Sequence, residues 1–102
     1  MKFKVKKLSA VNIEISKLKQ SQQDLLKSEY EKIENLGIEF VRVKPIHGKI
    51  FEIKSNELRS LFKYQKGQII LIGVVFVKKT QKTPKKIIKL AEQRLRETDE
   101  LS

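Results

Sequence analysis

The chain predicts an α+β fold: a small antiparallel β-sheet with an N-terminal helical hairpin and a C-terminal helix. Three observations carry that expectation. Apolar residues recur at helical spacing between residues 9 and 36. Strand-like runs punctuated by turn residues fill residues 50–77, and a Thr-Pro pair then opens a second helical pattern. The expected order is β-α-α-β-β-β-α, in a single domain over residues 1–102. With 39% hydrophobic residues, one modest core is within reach of 102 residues without a disulfide or metal.

Each element has its own warrant. Lys2–Val5 alternates polar and apolar, as a short strand does. Ser9 can cap a first helix whose apolar residues are Val11, Leu18 and either Ile13 or Ile15. Ser21, with Asp24 three residues later, is a stronger cap. Leu25, Leu26, Ile33 and Leu36 then form an apolar stripe, and Gly37 follows as a helix-ending glycine. Ile50–Ile53 and Leu58–Tyr64 read as strands around a Ser55-Asn56 turn, and Gln65-Lys66-Gly67 turns the chain again. Ile69–Val77 is apolar on both parities, which suits a central strand covered on both faces. Thr83 as N-cap and Pro84 at the first helical position start the last helix, with Ile87, Ile88, Ala91 and Leu95 on its buried face.

Charge is the informative bulk quantity. The formal net charge is +11. Residues 42–96 hold 15 basic and 3 acidic groups, residues 1–41 hold 8 and 6, and the tail from residue 97 carries three acids. A polycationic second half predicts a phosphate-rich partner, nucleic acid first; the bland alternative is a solvated basic surface. There is no cysteine, so a disulfide scaffold and a thiolate metal site are excluded, and a cytoplasmic location fits. No signal peptide is expected at the N-terminus. The longest apolar run, Ile69–Val77, is too short to span a membrane, so no membrane partner is expected. No metal-ligand spacing, Walker-type loop or serine-nucleophile motif occurs, and no metal or other cofactor is expected.

The densest cationic stretch is FVKKTQKTPKK, residues 76–86. It sets Lys82, Lys85 and Lys86 around a helix N-terminus, where partial positive charge favours acids instead. Such a breach of local rules points to an anion site. In the first hairpin, Lys54 and Arg59 share a face. One register places them opposite each other and pairs Phe51 with Phe62; another places Glu52 against Arg59. His47, the single histidine, is either a hydrogen-bonded surface residue or an acid–base group. Phe40, Phe51, Phe62, Tyr64 and Phe76 interleave with basic residues, as base-stacking aromatics do and as core aromatics also do.

The stretch LIGVVFVKKTQKTPKKIIKLAEQRL, preceded by FEIK and LRSLFKYQKG, resembles the RelE/ParE superfamily of type II toxins, in particular its HigB-like, phage-derived branch. The resemblance covers residues 45–97 well, and the helical hairpin in general layout only. It implies an mRNA interferase, an endoribonuclease cutting message on the ribosome and inhibiting translation. It also implies neutralisation by a cognate antitoxin, often a small helix-turn-helix protein. Carried over by position, the family's basic residues fall on Lys54, Arg59, Lys78 and Lys79. The chain departs from the pattern at Lys54, where arginine is usual, and at Val74, where many relatives have histidine.

The reaction so implied is metal-free attack of a ribose 2′-hydroxyl on the adjacent phosphorus. Lys54 is the candidate base, because neighbouring cations lower a lysine's pKa. Arg59 and Lys78 are candidates to stabilise the phosphorane, and Lys79 or His47 to protonate the leaving oxygen. Lys49, Lys63, Lys82, Lys85 and Lys86 are candidate RNA-backbone contacts. Two other readings fit the same fold: a ParE-like inhibitor of DNA gyrase, and a non-catalytic RNA-binding module.

Overall fold

The computed structural model describes the backbone of residues 1–101 and the side chains of residues 1–98. Asp99 and Glu100 of the acidic tail therefore lie outside the described side chains. The elements are β1 (Lys4–Lys7), α1 (Ser9–Ser16), α2 (Gln20–Asn35), a 3₁₀ turn (Ile38–Phe40), β2 (Arg42–His47), β3 (Ile50–Ser55), β4 (Leu58–Gln65), β5 (Ile69–Val77) and α3 (Lys85–Leu101). The sheet order is β1-β5-β4-β3-β2. β1 runs parallel to β5, and every other pair is antiparallel.

The α+β architecture is the expected one, with one strand more. β2 is absent from the sequence-based order because Pro45 interrupts it. Proline cannot donate to a ladder and is tolerated on an edge, which is where β2 lies. The hairpin's caps also differ. α2 begins after Lys19, whose backbone N–H donates to the Gln22 side chain at 3.1 Å, so Gln22 does the capping expected of the Ser21–Asp24 pair. Ser9 is the first residue of α1, not its cap. Leu36 lies just past α2 and is 54% exposed, so the apolar stripe stops at Ile33. Gly37 follows it at φ 128°, where a side chain would be strained and a Cβ would collide with Glu39.

The two helical layers pack on opposite faces of the sheet. Val11, Leu26, Tyr30 and Ile33 meet Ile53, Leu58, Phe62, Ile70, Ile72 and Val75 on one face. Ala91 and Leu95 of α3 meet Ile50, Leu61, Leu71 and Val74 on the other. β5 is an inner strand covered on both faces, as its unbroken hydrophobicity predicts, and it carries a bulge at Gly73. Leu61 pairs with Val74 and Phe62 with Ile72, leaving Gly73 as the extra residue. Facing therefore resets within the strand: Leu71 and Val74 both turn to α3, Ile72 and Val75 to the hairpin. A Cβ on Gly73 would lie 2.8 Å from Leu95 Cγ, so the glycine also lets α3 approach.

Beyond the stretch paired with β1, β5 would have an open edge. Glu14 of α1 closes it: its Oε1 accepts the Val75 N–H at 3.1 Å, and its Oε2 accepts from Arg94 at 2.9 Å. The same Arg94 guanidinium donates to the Gly73 carbonyl at 3.0 Å. One carboxylate thus stands in for a missing strand and joins α1 to α3. No helix among the described residues is long and apolar enough to cross a membrane.

Candidate functional site

The sheet register assembles a row of like charges. Arg42 of β2 is paired with Lys54 of β3, and Lys54 with Arg59 of β4. Directly paired side chains on one face stand about 4.5–5.5 Å apart between Cβ atoms, where like charges repel. This is the register that also pairs Phe51 with Phe62, whose rings stack at 5.8 Å. The next row along the strands pairs Lys44 with Glu52, and Glu52 with Leu61. Lys78 closes the far side, its backbone N–H held by the Glu57 carbonyl at 2.8 Å. Together Arg42, Val43, Lys44, Glu52, Lys54, Arg59 and Lys78 line a cleft of about 220 Å³.

Lys54 is exposed at the centre of the row. Arg42 above all, then Arg59, partial desolvation, Lys78 and Lys44 hold its ammonium below the usual lysine pKa. A lysine that loses its proton more readily presents more free amine near neutral pH, the form that can act as a general base. Arg59 is 8% exposed, with Nη1 donating to the carbonyls of Asn56 and Leu58. Its Nε lies 3.6 Å from Glu52 Oε1, so the Glu52–Arg59 contact of the rejected register survives as a diagonal ion pair. Glu52 is 1% exposed, and its other oxygen accepts a 2.8 Å hydrogen bond from Thr83.

That last bond corrects the expected start of α3. The Thr83 hydroxyl is spent on Glu52, and the Pro84 carbonyl takes the first helical N–H groups, of Ile87 and Ile88. The strand–helix junction is consequently tied to the floor of the cleft.

The cleft brings together three of the five expected catalytic residues, Lys54, Arg59 and Lys78. Lys79 follows at the strand end, exposed and outside the lining. His47 stands apart, at the other end of β2 from Arg42, roughly 17 Å along an extended strand. Its Nε2 faces Glu92 of α3 at 3.6 Å. Of the backbone contacts, Lys49, Lys82, Lys85 and Lys86 are exposed. Lys63 is not available: it is 5% exposed, and its ammonium donates to the Leu95 carbonyl at 2.8 Å. Its position on β4 turns it under α3. Val74, where the resemblance would place a histidine, is 2% exposed in the α3-side core and is not part of the cleft lining. Among the five aromatics, Phe40 and Tyr64 are exposed, at 58% and 40%.

Arg42 and Lys44 are the site residues that the sequence reading lacked. Their signal was the alternation Arg42-Val43-Lys44, basic residues on one side of a strand, broken immediately by Pro45. Larger grooves lie elsewhere, one of them about 580 Å³ between β1 and the helical hairpin. Its lining mixes Lys7 and Lys27 with Asp24, Glu31 and Glu34, so it lacks the single-sign field of the cleft. No group of three or more histidine, cysteine, aspartate or glutamate residues that could hold a metal ion occurs among the described residues.

Comparison with known proteins places this architecture. A family model described as phage-derived protein Gp49-like matches residues 13–96. No curated protein matches the chain in sequence. An archaeal RelE–RelB complex from Pyrococcus horikoshii OT3 superposes at a TM-score of 0.65 with 15% identity, over 78% of this chain and 98% of that one. The RelBE2 toxin–antitoxin complex of Mycobacterium tuberculosis gives 0.62 at 17% identity, over 76% and 100%. The isolated Escherichia coli RelE toxin gives 0.56 at 17% identity, over 87% and 97%. At these identities the likeness establishes a shared fold.

Proposed function

The chain belongs to the Gp49-like family of phage-derived proteins, and from that membership we propose that it is the toxin of a type II toxin–antitoxin pair, acting as an endoribonuclease on messenger RNA. The observation that carries the reading is the row Arg42–Lys54–Arg59, flanked by Lys44 and Lys78. A fold does not place so many cations side by side for its own stability, whereas a scissile phosphate offsets their repulsion. The neighbouring folds come from a RelE–RelB complex and a RelBE2 toxin–antitoxin complex. They support a cognate antitoxin for this chain too; a small helix-turn-helix protein is the form that the family resemblance implies. The ribosome in the cytoplasm is the place of action that the family resemblance implies.

In the proposed reaction the 2′-hydroxyl oxygen bonds to the adjacent phosphorus and its proton passes to Lys54 Nζ. Arg59 and Lys78 stabilise the charge that builds on the phosphorane oxygens. The bond from phosphorus to the 5′-oxygen breaks, and that oxygen takes a proton from a rim lysine, Lys79 or Lys44. His47 has no part, because it lies at α3. The products are a 2′,3′-cyclic phosphate and a 5′-hydroxyl end.

The test is expression of the chain in a host cell, with primer extension on cellular message. New 5′ ends and arrested translation are expected, with cleavage lowered by about 10²-fold or more in Lys54→Ala and Arg59→Ala. Toxicity without new 5′ ends would replace the nuclease by a non-catalytic RNA binder. Arrest of DNA supercoiling in a gyrase assay would move the chain to the gyrase-inhibitor reading.

A further inference from the structure

Glu52 is the carboxylate of a cleft otherwise lined by cations and Val43, and its two oxygens are unequal. Oε2 is engaged by the Thr83 hydroxyl at 2.8 Å. Oε1 makes no hydrogen bond among the described residues; it looks at Arg59 Nε across 3.6 Å and at Lys44 Nζ across 3.8 Å. Arg59 Nε, also buried, has no acceptor of its own. The guanidinium is therefore bounded on two sides, by backbone carbonyls at Nη1 and by a carboxylate at Nε. Among the described residues Nη2 donates no hydrogen bond, so it is the nitrogen left to meet an incoming anion. A fully hydrogen-bonded fork would be a closed structural pair; this one is held and not consumed.

We infer that Glu52 is a positioning residue, a fixed counter-anion that aims the Arg59 guanidinium at the substrate phosphate and, through Thr83, ties the start of α3 to the same cleft. The inference rests on the reading of the cleft as an RNA site and says how that site is set. It carries an unusual signature. Glu52 subtracts one charge from the cleft and so weakens raw attraction for RNA, while the geometry it imposes speeds the reaction. Neutralising it should tighten binding and slow cleavage together. A purely structural glutamate would lower both.

The experiment uses the full chain, a single-stranded RNA as substrate, and the same RNA with one 2′-deoxy position as a non-cleavable binding probe. Glu52→Gln keeps the shape and an acceptor for Thr83. Its expected binding is about 3–10-fold tighter, with a salt slope steeper by about 0.7 as one more phosphate is neutralised. Its single-turnover cleavage is expected to fall at least ~10-fold. Thr83→Ser should match the parent chain, and Thr83→Val should slow cleavage by less than Glu52→Gln. Parent-like cleavage in Glu52→Gln, or binding that weakens along with cleavage, overturns the inference. Should Glu52→Gln lack a native thermal transition, Glu52→Asp decides, since it keeps the charge but draws the carboxylate back. Slowed cleavage at parental affinity is then expected, and parental cleavage overturns. If the parent chain cleaves no RNA, the nuclease reading fails separately. The positioning role is then read from hydrogen exchange at Arg59 Nε–H, expected to quicken at least ~10-fold in Glu52→Gln; unchanged exchange overturns it.

Discussion

Lys54 loses its proton more easily than a solvated lysine because Arg42 and Arg59 flank it in one cross-strand row. The cost has a direction in pH. Its folded-state pKa is lowered, so the unfolded chain binds more protons through that range, and this group's contribution to stability grows as pH rises. Arg42→Ala removes the largest cause of the shift. The expected outcome is that the pH–rate limb belonging to the base moves to higher pH, while activity at neutral pH falls. A limb that stays in place would take Lys54 out of the base role. Lys54, Arg59 and Lys78 were legible in the sequence because a motif marks them. Lys63 and His47 were not, since nothing in a linear string separates a lysine under a helix from one beside it. Lys63→Ala should cost about 1.5–3 kcal/mol in thermal or denaturant unfolding, through the lost charged hydrogen bond to Leu95, and leave the salt slope of RNA binding unchanged.

At the level of elements, β5 decides how the two helical layers meet. Its bulge at Gly73 switches facing within the strand and opens the space that Leu95 enters. Gly73→Ala should therefore destabilise by about 1–3 kcal/mol, measured by denaturant unfolding, because α3 must back away from the sheet. No change in midpoint would mean that Leu95 gives way without cost. The limits of β5 could be read from sequence, Ile69–Val77 as found, because an apolar run on both parities leaves no other place for it. The bulge could not, since a glycine inside a strand does not say which neighbour presses on it. β2 was hidden for the opposite reason: Pro45 argues against a strand everywhere except at an edge, and sequence does not tell edge from centre. The helix caps slipped by one or two residues because Gln22 and Thr83 use their side chains in ways fixed by neighbours far along the chain or by local geometry.

Across the whole molecule, charge is uneven. α2 mixes Asp24, Glu29, Glu31 and Glu34 with Lys27 and Lys32, while the cleft and the start of α3 are predominantly lysine and arginine. RNA binding should fall steeply with salt, by about 0.7 in log–log slope per phosphate neutralised on a single strand. Lys85→Ala with Lys86→Ala should lower that slope by about 1.4 and leave the cleavage rate at saturating RNA near the parental value. A slope unmoved by both changes would place the RNA away from α3. The sign of the partner was legible from composition; the cleft was not, because it exists only where four strands lie side by side. That arrangement also sets an order in time. β1 is made first, yet its partner in the sheet is β5, Lys4 against Ile69. β5 must slide between β1 and β4, both older than itself, and Lys78 arrives only with its end. A chain still being synthesised therefore holds an unfinished sheet whose cleft lacks Lys78. The cleft is completed last, once β5 has left the ribosome that the proposed activity would attack.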